Sequence, residues 1–204
     1  MLLPFSQIAK GWEPFAFDLR KVARVSLLEN LDPWKLALEF GLHILDGLAA
    51  LECLPSEVRA HLKGPGKHDW SGGVHPDPLN DGTLLCILNP FHSRRRNKVT
   101  LMEEISHILM DHVPSGVSYD MNGLRLRDYH ENQEKEAYGI GSAALIPWQT
   151  FLPALKASKS IEELSEMYDV TTDLVQYRIK ITAASNLYKA RERARRCAQR
   201  NMRR

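Results

Sequence analysis

Long apolar runs are missing from this chain. None approaches the roughly 18 residues that a membrane-crossing helix needs, which argues against a helical membrane protein. Cysteine is scarce: Cys53, Cys86 and Cys197 are odd in number and widely spaced. That pattern argues against a disulfide framework and against a cysteine-based zinc cluster. The N-terminus turns polar and charged within ten positions, so it has no apolar signal segment. The chain is therefore expected to be cytoplasmic. Repeats and low-complexity tracts are absent outside the arginine-rich C-terminus. No aromatic residue is interleaved with those arginines, which removes the base stacking expected of a single-strand nucleic-acid binder.

The chain has 204 residues, 44% of them apolar and 25% charged, which fits a soluble globular fold with a real core. A net charge of +2 hides an asymmetry. The stretch from Lys189 to Arg204 is strongly basic, so the body before it is acidic. Such a block is a solvated or partner-contacting tail, with nucleic acid as the second use.

The N-terminal third reads as helical. Leu36, Phe40, Leu42 and Ile44 follow Asp32-Pro33-Trp34 in a helical pattern, and proline suits a first turn. A short helix is expected from Pro55-Ser56-Glu57-Val58 to the Gly64-Pro65-Gly66 stop. Residues 70–74 and 83–90 then read as two strands joined by a turn-forming segment. Arg94-Arg95-Arg96 reads as a short basic loop leading into a helix that begins near Val99. A polar loop is expected from the end of that helix to about Asn132, and a second helix from Gln133 to Leu145. The rest is helical, with a capping box at Ser160-Ile161-Glu162-Glu163 and a turn at Asp169–Thr172.

The segment Glu103-Glu104-Ile105-Ser106-His107 carries the chemistry. In an H-E-x-x-H helix, two histidines four apart share one face and bind zinc, while the glutamate acts as general base. Here Glu103 stands in the place of the first histidine, Glu104 in that of the base, and His107 in that of the second histidine. Glu103 and His107 are i and i+4, able to meet one ion. A third ligand is expected from the helix of Glu134 and Glu136, whose small residues from Ala137 to Ala144 permit close helix approach. Glu136 is the first choice and Glu134 the second. His112 falls on the stripe of Leu101, Ile105 and Ile108, and reads as a partly buried structural histidine.

These residues, with Ile87-Leu88-Asn89-Pro90, Arg94-Arg95-Arg96 and Glu136-Ala137-Tyr138 running to Ala143-Ala144-Leu145-Ile146-Pro147, resemble the ImmA/IrrE family of metallo-endopeptidase domains. The likeness covers roughly residues 30–182. It implies a mainly helical α+β, zincin-like domain with a small sheet beside the metal-site helix. Residues 1–30 are then a helical lead-in, 31–182 the peptidase-like domain and 183–204 a basic helical tail. Family members are intracellular zinc peptidases that cut a repressor in phage, mobile-element or stress control. By resemblance, Glu103, His107 and Glu136 hold the metal and Glu104 is the general base. Glu103 departs from the family's histidine and Tyr138 from its usual asparagine. A carboxylate-rich site admits Mn²⁺ beside Zn²⁺. Two alternatives follow: an inactive homologue that binds a regulatory protein, and a DNA-associated protein using the basic tail.

Overall fold

The fold comes from a computed structural model, which describes residues 2–52, 55–119 and 125–201. Helix α1 (Gln7–Val22) is followed by α2 (Pro33–Glu39), β1 (Leu42–Leu45), α3 (Ala49–Glu52) and α4 (Ser56–Lys63). Strands β2 (Gly72–Val74) and β3 (Leu84–Leu88) precede α5 (Arg94–Leu109). Next come β4 (Gly116–Tyr119), β5 (Arg125–Asp128) and α6 (Glu131–Leu145). Helices α7 (Trp148–Lys156), α8 (Ile161–Tyr168), α9 (Thr172–Ile181) and α10 (Ser185–Asn201) complete a mainly helical α+β fold. None of the described helices is long and apolar enough to cross a membrane.

The chain divides into two compact units, Met1–Leu31 with Ser142–Arg204, and Asp32–Gly141. In the first, α1 and the C-terminal helices bury Trp148, Phe151, Leu19 and Leu174. The expected capping box is present: Ser160 accepts from the Glu163 amide while Glu163 accepts from the Ser160 amide. The C-terminal region is two helices rather than one, because Ala183 takes a left-handed φ of 59° between α9 and α10. At the centre of this unit Arg178, wholly buried, lies 2.7 Å from Glu13 and also donates to the carbonyl of Ile146.

The second unit is built on a three-stranded sheet in the order β1-β3-β2, with β1 parallel and β2 antiparallel to β3. Strand β1 corrects the helical reading of Leu42 and Ile44. Gly41, at φ 63°, breaks the chain direction after α2, and Leu42–Leu45 then pairs with Leu84–Ile87. Apolar residues four apart fit a helix, but the paired edge of β3 decides the outcome. A second correction concerns the loop expected between α5 and α6. Gly116–Tyr119 and Arg125–Asp128 pair as an antiparallel hairpin; residues 120–124 lie outside the described residues.

Helix α5 begins earlier than expected. Ser93 caps it by accepting from the Arg96 amide, so Arg94–Arg96 form its first turn rather than a loop. The Arg94 guanidinium lies over the Trp34 ring at 4.0 Å. Asn89, with no exposure, ties the end of β3 to this helix. Its amide nitrogen donates to the carbonyls of Lys67 and Trp70, and its own carbonyl accepts from the Asn97 side chain. Leu101, Met102 and Ile105 are fully buried, each stabilising by about 1.5–3 kcal/mol. The helix is thus clamped at its start and packed along one face, which fixes the position of residues 103–107.

Candidate metal centre

Two local devices build the site. The first is the end of α5. Asp111 takes a left-handed φ of 51°, its amide donates to the carbonyl of Ile108, and the amide of His112 donates to that of His107. This is a Schellman turn, which brings the residue two beyond the cap back onto the residue three before it. The pair brought together here is His112 and His107. Their rings meet edge to face with centroids 5.0 Å apart, and the two Nδ1 atoms are 3.0 Å apart. His112 therefore does not continue the Leu101–Ile108 stripe as expected from the sequence. The helix has already ended, and the histidine folds back.

The second device is the approach of α6 to α5. A Cβ on Gly141 would lie 3.1 Å from the carbonyl oxygen of Met102, so a side chain there would crowd the α5 backbone. Seven residues back from Gly141, nearly two full turns, stands Glu134 on the same face. Its Oε2 lies 3.7 Å from Nε2 of His107. Glu136 points elsewhere, with Oε2 3.2 Å from Nε2 of His112. The structure thus sets Glu134, the second choice from sequence, before the His107 ring, and sets Glu136 behind it.

His107 is held on three sides. Its ring stacks on Tyr129 at 3.7 Å between centroids and 21° between planes. Its Nδ1 faces His112, and its Nε2 is buried without a hydrogen-bond partner. Glu103 and Glu104 stand on the preceding turn, partly buried residues with carboxyl groups closely surrounded by protein. Burial, with Glu104 and Glu134 nearby, pushes the Glu103 carboxyl up to about 8. Burial and Glu134 push Glu104 up to about 7, against the opposing pull of Arg127. Tyr129 is also raised, chiefly by burial. Like charges crowded into a low-dielectric place are costly unless neutralised by protons or by a cation.

The donor set has the chemistry of a divalent-metal site: one buried imidazole nitrogen without a hydrogen-bond partner, and carboxylates near it. The placement is less complete. Among the described residues, no three His, Cys, Asp or Glu side chains are gathered as a group able to hold an ion. His107 and Glu134 supply one half of a site. Glu103, one turn back on the same helix, is the remaining carboxylate placed on the His107 face. Cysteine takes no part: Cys86 is buried and Cys197 is free and exposed, while Cys53 lies outside the described residues.

Neither Tyr129 nor His112 reads as a site residue in the sequence. Tyr129 follows β5, which read as a loop, and nothing in the local pattern marks it. His112 had a readable signal, an Asp one residue before it and a Pro two residues after, both common just past a helix end.

No curated protein and no solved structure gives a match. The family model described as the IrrE N-terminal-like domain, a peptidase family, matches residues 66–180, more than half of the chain. That span holds β2, β3, the whole of the site and the helices as far as α9. The chain belongs to the IrrE N-terminal-like family of peptidase domains.

Proposed function

We propose that this protein is a metal-dependent endopeptidase whose ion is held by Glu103, His107 and Glu134, with Glu104 as general base. The observation that carries this reading is the buried, partnerless Nε2 of His107 facing a carboxylate at 3.7 Å. A buried nitrogen without a partner is costly, and a cation shared with nearby carboxylates removes that cost. Glu136, the first choice for the acidic ligand on sequence and resemblance, is given a different role below, because its carboxylate meets His112.

Zinc bound there would supply Lewis-acid polarisation of the scissile carbonyl. Glu104 follows Glu103 by one step on α5. Its carboxyl, pushed up to about 7, is poised to take a proton from an attacking water and to pass one to the leaving amine. Tyr129 stacks on His107 and fixes the plane of its ring. A donor set of two carboxylates and one imidazole suits Mn²⁺ as well as Zn²⁺. Family resemblance supports a protein substrate, a repressor-type regulator cut in the cytoplasm.

The second reading, an inactive homologue that binds a regulatory protein, is favoured by the absence of a gathered three-donor group among the described residues. Metal content per chain separates the two. About one zinc or manganese ion per chain in the purified protein, lost in His107→Ala, supports the peptidase. No uptake of either ion by the wild type, even after incubation, rejects it and leaves the protein-binding reading.

A further inference from the structure

We infer that His112 and Glu136 form a relay that sets the tautomer of His107, presenting its Nε2 as a bare lone pair to the carboxylates of the site. The inference rests on the site reading above and assigns Glu136 to positioning rather than to metal ligation.

The hydrogen bonds run from the surface inward. Glu136 is partly exposed, and its carboxylate can only accept. The contact of 3.2 Å to Nε2 of His112 therefore places a proton on that nitrogen. When His112 is neutral it carries this one N–H, and its Nδ1 is then an acceptor. It lies 3.0 Å from Nδ1 of His107, which must donate. His107 in turn has its only proton on Nδ1, and Nε2 is left as a lone pair. That atom is the buried one without a hydrogen-bond partner, and Glu134 stands 3.7 Å away, beyond a hydrogen bond. Each link fixes the next, and the last link is the nitrogen a metal needs.

The relay has the logic of a histidine ligand whose far N–H is held by a carboxylate, lengthened by one imidazole. The Schellman turn makes the lengthening possible. It holds His112 against His107 through the backbone bond from the His112 amide to the His107 carbonyl, independently of any ion. Stacking on Tyr129 stops the His107 ring from tilting out of line.

The test reads the tautomer directly, from ring ¹⁵N shifts and long-range couplings of His107 in the full-length protein with chelator present. The wild type is expected to show the Nδ1–H form. Glu136→Ala, a change at a partly exposed side chain, frees His112 to donate from either nitrogen and should convert His107 to a mixture of tautomers. His112→Phe keeps a ring beside His107 and removes the acceptor, with the same expected result. Zinc affinity, measured by titration with Zn²⁺ alone, should fall about 10- to 100-fold in both variants. An unchanged Nδ1–H signal in both variants overturns the relay, whatever the zinc affinity. If the wild type takes up no zinc but its tautomer collapses in both variants, the relay stands and the peptidase reading falls.

Discussion

Two of the buried polar clusters among the described residues are built on opposite rules. In the unit of α1 and the C-terminal helices, Glu13 and Arg178 bury one charge of each sign 2.7 Å apart, and α1 is joined to α9 by the pair. In the other unit, Glu103, Glu104 and Glu134 gather charges of one sign around His107, and burial has pushed two of the carboxyls up to about 8 and about 7. The first arrangement neutralises itself. In the second, Arg96 and Arg127 offset only part of the negative charge, and a proton or a bound cation is needed for the rest. Two nitrogens of Arg178 also lack partners, so the distinction lies in balance of charge rather than in complete hydrogen bonding. A cluster that cannot satisfy itself is poor for stability and is the common mark of a functional site.

The largest effect should come from breaking the balanced cluster. Arg178→Ala strands a buried carboxylate and should lower unfolding stability by about 3–5 kcal/mol, read from urea denaturation. Glu13→Leu with Arg178→Met, which removes both charges together, should recover most of that loss. If the double variant is as unstable as the single one, the pair is holding the helices by geometry rather than by charge.

The like-charged cluster should respond to pH in the opposite sense to an ordinary paired carboxylate. Glu103 and Glu104 have folded values of about 8 and about 7 against an ordinary 4.5, so between pH 4.5 and 8 the folded chain holds more protons than the unfolded one. Stability is then fully present below pH 4.5 and is lost as pH rises through 7 and 8. The two carboxyls are neighbours, and ionising one makes the other harder to ionise, so their losses do not simply add. With chelator present, Tm should fall from pH 5 to pH 8, and Glu103→Gln should flatten the slope. Added Zn²⁺ should restore Tm at pH 8, since an ion supplies the missing positive charge. A Tm that rises over this range would place the carboxyls in contact with water or with a cation of the protein.

Much of this contrast is legible in the sequence alone. The E-E-x-x-H spacing identifies the helix and its polar face because a period of 3.6 is a local property. The capping box at Ser160 is legible for the same reason. What could not be read depends on contacts far apart in sequence. Strand β1 forms because β3 offers it an edge, the β4–β5 hairpin lies where composition suggests a polar loop, and Tyr129 reaches His107 from beyond that hairpin. The choice between Glu134 and Glu136 lies between these cases. Counting two turns back from Gly141, where α6 comes against α5, puts Glu134 on the side that faces His107, but only once that close approach is known.

The smallest expected effect probes the turn that joins His112 to the site. Asp111 holds a left-handed φ of 51°, where glycine is at ease and a β-branched residue is strained. Asp111→Gly should therefore raise stability by about 0.5 kcal/mol or leave it unchanged, and should keep the His107–His112 contact. Asp111→Val should cost about 1–2 kcal/mol and open the turn. The balanced cluster around Arg178 should be indifferent to both, since it lies in the other unit. The instructive measurement is zinc affinity set beside urea stability for the two variants. Affinity lost in Asp111→Val but kept in Asp111→Gly would mean that a single backbone angle holds the histidine pair in register. Affinity kept in both would mean that stacking on Tyr129 is enough to orient His107 without the turn.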